Sequence, residues 1–290
     1  MAGLPVAIVY DFDGTLSPGS MQQHTLLPEL GYAETADFWS EVKALNKKID
    51  GDEILAYMHC LLRDKPELVT RAKLREHGAA LPYFPGVRDW FARIRNFGSE
   101  HHLDVNHYIV SSGLQEMIDG SDIRKNFRHI FASNYAYEGD LPRWPAVAIN
   151  YTSKTQYLFR INKGILNYWD DKSVNQWVPM DERPVPFERM IFIGDGDTDI
   201  PAMKMLTYQG GTSIAVFDPA RFQGADQSKV YKLIAEDRAH YVCPADYSDG
   251  SQLDVTVKGT LGKIARASGY RPKKQPAIGS LIRSLLSGTG

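Results

Sequence analysis

The sequence predicts an α/β protein with a doubly wound parallel sheet and a helical segment inserted near its start. Three observations carry this. Short apolar runs end abruptly at polar residues, as strands buried on both faces do. Stretches with helical spacing separate them, the alternation that builds parallel sheets. Two acidic groups, Asp11-Phe12-Asp13 and Asp195-Gly196-Asp197-Thr198-Asp199, each follow directly on such a run, which puts them at strand carboxyl ends, where ligands bind in these sheets.

In chain order, Val6–Tyr10 reads as the first strand, ending at Asp11. Residues 19–83 hold no convincing strand. Phe38, Val42 and Leu45 fall at helical spacing, as do Ile54, Met58 and Leu61. Tyr83-Phe84-Pro85-Gly86 marks the return to the sheet, and Val87, Trp90, Phe91 and Ile94 fit one helix face. His107–Val110 is the second strand, ending at Ser111. Asn134–Asn150 reads as irregular, with Glu138-Gly139-Asp140 suited to turning a hairpin. Trp169–Pro186, with two Trp and three Pro, reads as a loop or short hairpin extension. Met190–Ile193 is the third strand, ending at Gly194-Asp195. Pro201 then suits a helix's first turn, with Ala202, Met203 and Leu206 facing inward. Ser213–Phe217 is a weaker strand. The expected division is a core of residues 1–18 and 84–270, a helical insertion at 19–83, and a tail at 271–290 with a short helix at Ile278–Leu286.

Composition excludes more than it assigns. The chain has 290 residues, 43% of them apolar and 23% charged, and 33 basic against 35 acidic residues leave a net charge of −2. That is neither a basic nucleic-acid binder nor an acidic disordered chain. Two cysteines, Cys60 and Cys243, make no disulfide framework and favour a reducing cytoplasm. No apolar run is long enough to span a membrane, and the N-terminal run is too short for a signal peptide. There is no internal repeat and no low-complexity tract. The expected partner is a small molecule, with neither nucleic acid nor membrane involved; the oligomeric state is left open.

In extended chain, residues i and i+2 point to the same side, so Asp11 and Asp13 converge. Gly14 permits a sharp exit. Two convergent carboxylates suit a hard metal ion, or a nucleophile paired with an acid/base group. A plain acidic turn is the competing reading. A calcium loop fails, because the positions that need Gly and Glu hold Leu16 and Gln22 in the first cluster, Ile200 and Leu206 in the second.

Asp11-Phe12-Asp13-Gly14-Thr15-Leu16 after a strand resembles the first signature of the haloacid dehalogenase-like superfamily of phosphohydrolases. Ile109-Val110-Ser111-Ser112-Gly113 resembles the second, and Ile193-Gly194-Asp195-Gly196-Asp197-Thr198-Asp199 the fourth. For the third, a lysine, Lys154 and Lys163 are both candidates. Lys154 opens a stretch with apolar residues three to seven positions on, as in the family, whereas Lys163 would lie at that helix's far end. The signatures run in the family's order from about residue 5 to about residue 217. Ser-Ser-Gly and Gly-Asp-Gly-x-x-Asp point to the phosphoserine-phosphatase-like branch. That branch has a glutamate shortly after the first signature and an arginine later in its cap. Here Ser20 stands at roughly the glutamate position, and no arginine falls where expected.

The resemblance implies a Rossmann-like core with a helical cap at 19–83, a magnesium ion as cofactor and an aspartyl-phosphate intermediate. Asp11 would be the nucleophile and Asp13 the acid/base group. Asp11, the backbone carbonyl of Asp13 and Asp195 would hold magnesium, with Asp199 supporting them. Thr15, Ser111, Ser112, Gly113 and Lys154 would surround the phosphate. The expected activity is hydrolysis of a small phosphorylated metabolite; the alternatives are a phosphotransferase or mutase with the same chemistry, and a phospho-ligand binding protein without turnover. Gln22, Gln23, His24 and Trp39 are the expected specificity residues.

Other groups are set aside. His101, His102 and His107, with Asp104, lack zinc-ligand spacing. Cys243 beside His240 reads as structural. Trp144, Trp169 and Trp177 read as core or edge packing before lining an entrance, Lys273-Lys274 as solvated tail, and Asp197 as a solvent-facing loop residue.

Overall fold

Strand β1 (Leu4–Tyr10) lies in the middle of the sheet, and its residues alternate between two cores. Val6, Ile8 and Tyr10 face one side and Ala7 and Val9 the other, all without solvent exposure. This period-two split makes the fold doubly wound. The computed structural model describes residues 3–63, 65–196 and 198–269. The other strands are β2 (Leu103–Leu114), β3 (Phe127–Glu138), β4 (Leu141–Val147), β5 (Met190–Gly194), β6 (Thr212–Phe217) and β7 (Tyr241–Pro244), in the order β4-β3-β2-β1-β5-β6-β7. Only β4 runs antiparallel to its neighbour.

The helices α1 (Leu26–Leu30), α2 (Thr35–Ile49), α3 (Glu53–Arg63) and α4 (Arg71–Ala79) follow β1, and α5 (Val87–Glu100) leads into β2. Then come α6 (Gln115–Gly120), α7 (Lys154–Lys163), α8 (Asp171–Asn175), α9 (Ile200–Tyr208), α10 (Ala225–Ala235) and α11 (Gln252–Ala267). Helix α5 buries Val87, Trp90, Phe91 and Ile94 in the Tyr10-side core, as the spacing predicts, together with Leu253, Val257 and Leu261 of α11. The opposite core takes Leu158 and Ile161 of α7 and Ala202, Met203 and Leu206 of α9. The Tyr10-side core holds a closed polar chain. Trp90 Nε1 donates to Tyr10 Oη (2.8 Å), Tyr10 Oη pairs with His107 Nδ1 (3.0 Å), and His107 Nε2 lies 3.3 Å from the Phe91 carbonyl.

Between Met21 and Ala79 every element among the described residues is helical. This segment shares its core with the sheet: Phe38, Val42, Ile54, Met58, Leu61 and Leu74 belong to the same buried cluster as Tyr10 and Phe12. The β3–β4 hairpin holds it. Tyr135 Oη donates to the Met58 carbonyl (2.8 Å), and Asp140 accepts from the first backbone amides of α4.

Three expectations change. Asn134–Asn150 is mostly ordered strand: it contains the end of β3 and all of β4. Pro142 and Pro145 hide β4 in the sequence, and an edge strand tolerates them. The turn at Glu138-Gly139-Asp140 is as expected, with Gly139 at φ 62°. The segment 169–186 forms no hairpin; it contains α8, whose first turn is capped by Asp170 accepting from Ser173 N (3.1 Å). Edge strand β7, four residues long, escapes a periodicity reading. The expected tail helix at Ile278–Leu286, Lys273-Lys274 and Asp197 lie outside the described residues. No helix among the described residues is long and apolar enough to cross a membrane, and Cys60 and Cys243 are buried without a disulfide.

Candidate active site

Pairing register brings the functional side chains together. Tyr10 pairs with Ile109 on one side and Ile193 on the other. The next residues along the three central strands are therefore Asp11, Val110-Ser111 and Gly194-Asp195. The chain leaves β1 towards β2 on one side and later fills β5 on the other, so these ends meet at the sheet's topological switch point. Beyond Asp11 the loop closes on itself: Leu16 N and Ser17 N donate to the Phe12 carbonyl (2.9 and 3.1 Å), and Gly14 N to the Gly19 carbonyl (2.9 Å). Gly14 has φ 69°, and a Cβ there would lie 2.9 Å from Asp195 Oδ2. A Cβ on Gly194 would lie 2.1 Å from Asp199 Oδ2. Gly14 thus lets the two acidic clusters approach each other, and Gly194 lets Asp199 fold back onto its own strand end.

Lys154, the first residue of α7, is fully buried; its Nζ lies 2.7 Å from both Asp11 Oδ2 and Asp199 Oδ1. Burial opposes the charged amine, but the two carboxylates outweigh it and hold its pKa above the usual lysine range. Desolvation raises Asp13 well above the usual carboxylate range. Asp11 and Asp195 reinforce this, while the Met21 N–H, 2.9 Å from Asp13 Oδ1, and Lys154 oppose it. Asp195 is likewise raised by desolvation, opposed by Lys229, whose Nζ is 3.2 Å from Oδ2. Burial raises Asp199 too, against the pull of Lys154.

The residues fit a cation. Carboxylate oxygens of Asp11, Asp195 and Asp199 lie within 4.8 Å of one another, and Asp199 Oδ2 is buried without a partner among the described residues. An all-oxygen set of this kind suits a hard ion such as magnesium.

Asp11, Asp13 and Asp195 floor a cavity of about 350 Å³. Its walls include Ser20 and Gln22 from the loop, Trp39 and Tyr57 from the inserted helices, and Arg221 and Lys229 from the segment after β6.

No family model matches the sequence. An uncharacterised protein of Borreliella burgdorferi is 27% identical over 279 residues, which cover 86% of this chain and 93% of that protein. A HAD family hydrolase from Salmonella enterica serovar Typhi superposes with TM-score 0.55 at 15% identity over 88% of this chain and 71% of that one. A probable phosphoserine phosphatase from Vibrio cholerae gives 0.54 at 14% identity (91% and 67%), and a substrate-bound phosphoserine phosphatase 0.53 at 17% (87% and 97%). The chain has the haloacid dehalogenase-like fold.

Within this fold, Asp11, Asp13, Ser111, Ser112, Gly113 and Asp195, from the first, second and fourth signatures, line one cavity. Three residues stand elsewhere. Lys154 and Asp199 lie behind the wall, the ammonium on Asp11 rather than in open space. Thr15 is fully buried off the cavity; its carbonyl accepts from Tyr247 Oη (2.9 Å) and its Oγ1 has no partner among the described residues. The Gly113 N–H donates to Ser111 Oγ (3.1 Å), bracing the loop instead of turning to an anion. Lys163 is remote, its ammonium bonded to the carbonyls of Val174 and Gln176 at the far end of α7. Of the expected specificity residues, Gln22 and Trp39 line the cavity, whereas Gln23 and His24 hydrogen-bond the Pro18 carbonyl. Trp144, Trp169 and Trp177 neither pack nor line it; they are 59%, 78% and 83% exposed. Tyr57, Arg221 and Lys229 were not anticipated. Tyr57 sits between Ile54 and Met58 in an apparently apolar helix stripe, and the two cations reach the site only through tertiary structure.

Proposed function

We propose that the protein is a magnesium-dependent phosphatase that hydrolyses a small phosphomonoester through an aspartyl-phosphate. The carrying observation is the unlike pair on one loop: Asp11 with an ammonium at 2.7 Å, and Asp13, two residues on, with its pKa pushed well up by desolvation and by Asp11. A carboxylate paired with an ammonium, beside one whose proton is favoured by burial, suits separate nucleophile and acid roles. The solved structures of similar fold, named as hydrolases and phosphoserine phosphatases, support the same reading.

In the first step an Asp11 carboxylate oxygen bonds to phosphorus and the bond to the leaving oxygen breaks. The protonated Asp13 gives its proton to that oxygen, releasing a neutral alcohol. In the second step a water oxygen bonds to phosphorus, one water proton passes to Asp13, and the Asp11–phosphorus bond breaks. Inorganic phosphate leaves, and both side chains are restored. Lys154 keeps Asp11 oriented and balances its charge from behind, while the Ser111 and Ser112 loop faces the phosphoryl oxygens. Asp11, the Asp13 carbonyl and Asp195, with Asp199 beside them, would hold a magnesium ion, which would supply the positive charge that lets a carboxylate approach an anion.

Residues 19–83 act as a cap over the core of 1–18 and 84–270. Helices α2 and α3 roof the cavity, exclude water and restrict entry to small molecules. The test is phosphate release from p-nitrophenyl phosphate with magnesium. Asp11→Asn is expected to lower kcat by about 10⁴-fold or more, and chelation to abolish turnover. Activity that survives either change overturns the reading.

A further inference from the structure

Three polar atoms of cavity-lining residues have no partner among the described residues: Ser20 Oγ, Gln22 Oε1 and Ser112 Oγ. Gln22 is the most telling, since it is only 1% exposed and still lines the cavity. A buried amide oxygen without a partner is costly, so a native protein that keeps one commonly has a use for it. All three groups are neutral. A hydroxyl donates or accepts, and an amide presents either character according to its orientation. Their natural match is another hydroxyl, which does both; a charged group buried against them would be poorly compensated. Alongside stand Trp39 and Tyr57, ring centroids 5.7 Å apart at 61°, an apolar wall for the flat face of a ring. The nearby Glu53 carboxylate is engaged by Tyr151 Oη (2.9 Å).

We propose that Gln22, assisted by Ser20 and Ser112, is the specificity-determining residue for a leaving group that is a hydroxylated, uncharged ring lying against Trp39 and Tyr57. Such a ring belongs either to a free sugar phosphate or to the ribose of a nucleotide. This rests on the phosphatase reading above but goes beyond it, because the same catalytic floor would serve a phosphorylated amino acid equally well.

The experiment compares kcat/KM for ribose 5-phosphate, adenosine 5′-monophosphate, phosphoserine and p-nitrophenyl phosphate, in the wild type and in Gln22→Met. The wild type is expected to prefer at least one ring phosphate to phosphoserine by about 10-fold or more, and the better of the two identifies the source of the ring. Gln22→Met keeps the volume and removes the hydrogen bonds. It is expected to lower the ratio of ring phosphate to p-nitrophenyl phosphate by about 10- to 100-fold. It should also raise the ligand-free melting temperature, because an apolar isostere removes the unpartnered amide oxygen. A glutamine with a merely structural role would give a lower melting temperature and an unchanged ratio. A wild-type preference for phosphoserine, or a ratio unchanged within about twofold, overturns the proposal. If no substrate is turned over, the phosphatase reading fails instead, and calorimetry on the wild type decides. Ribose 5-phosphate binding about tenfold tighter than inorganic phosphate supports the subsite; equal binding overturns it. Gln22→Glu, which retains the acceptor and adds charge, replaces Gln22→Met should that variant not fold; it too is expected to lower the ratio.

Discussion

Tyr10 and Asp11 are neighbours at the end of the same central strand, and both are buried, yet they belong to opposite kinds of polar cluster. On the Tyr10 side, Trp90, Tyr10, His107 and the Phe91 carbonyl form a chain in which each donor meets an acceptor. On the Asp11 side, the Asp11 and Asp199 carboxylates crowd around Lys154, Asp199 Oδ2 is orphaned among the described residues, and desolvation raises Asp13, Asp195 and Asp199 together. A satisfied network lowers the energy of the fold by itself. An overcharged one lowers it only when something else binds. The contrast therefore separates structure from function at a one-residue boundary: the first cluster should respond to mutation through stability, the second through ligands.

The sharpest way to break the contrast is to remove the cation on the Asp11 side. Lys154→Met leaves Asp11 and Asp199 buried without their ammonium. It is expected to cost about 3–5 kcal/mol of unfolding free energy in chelator. Magnesium should then recover more stability in the variant than in the wild type, since the carboxylates have lost their built-in counter-ion. Denaturant unfolding with and without magnesium measures this. A loss under about 1 kcal/mol would mean that Lys154 does not hold the cluster together.

Much of this site is legible in the sequence, because it is built from local patterns. Asp11 and Asp13 follow a strand, Asp195 and Asp199 follow another, and Lys154 opens a helix; each is a short-range signal. The sheet's centre is legible for the same reason, as β1, β2 and β5 are buried on both faces and read as apolar runs. What the sequence hides depends on distant partners. Edge strand β4 is masked by Pro142 and Pro145, which only its edge position makes harmless. Thr15 lies within a signature, but the tight turn after Asp11 carries it off the cavity onto Tyr247. Tyr57, Arg221 and Lys229 reach the cavity through packing that no periodicity encodes.

On the Tyr10 side, the test is acid. Burial lowers the His107 pKa to about 3, with the Arg95 charge in the same direction and the Phe91 carbonyl opposing. The folded protein thus keeps His107 neutral, while the unfolded chain takes up a proton below about pH 6.5. This contribution is complete above pH 6.5 and is lost as pH falls towards 3, at up to about 1.4 kcal/mol per pH unit. Between pH 6.5 and 5 that amounts to about 2 kcal/mol. His107→Gln should flatten this limb relative to the wild type without changing the pH dependence of turnover. Unfolding free energies at several pH values, set beside the activity profile, check it. Parallel slopes in the two proteins would remove His107 from the account.

Tyr57 is the intermediate case and gives the smallest effect. It lies on the cavity wall but is satisfied, its Oη donating to the Ser112 carbonyl at 2.8 Å and so tying α3 to the loop after β2. If partnered groups act through stability wherever they sit, Tyr57→Phe should cost about 1 kcal/mol and change kcat/KM by less than about threefold. The ring against Trp39 is kept, and water in the cavity can replace the lost donor. If the bond instead fixes Ser112 for the phosphoryl group, turnover will fall by about tenfold or more with little change in stability. The ratio of the two effects, from unfolding and steady-state kinetics on one variant, shows which side of the contrast Tyr57 occupies. A large kinetic effect would extend the functional cluster from the strand ends onto the inserted helices.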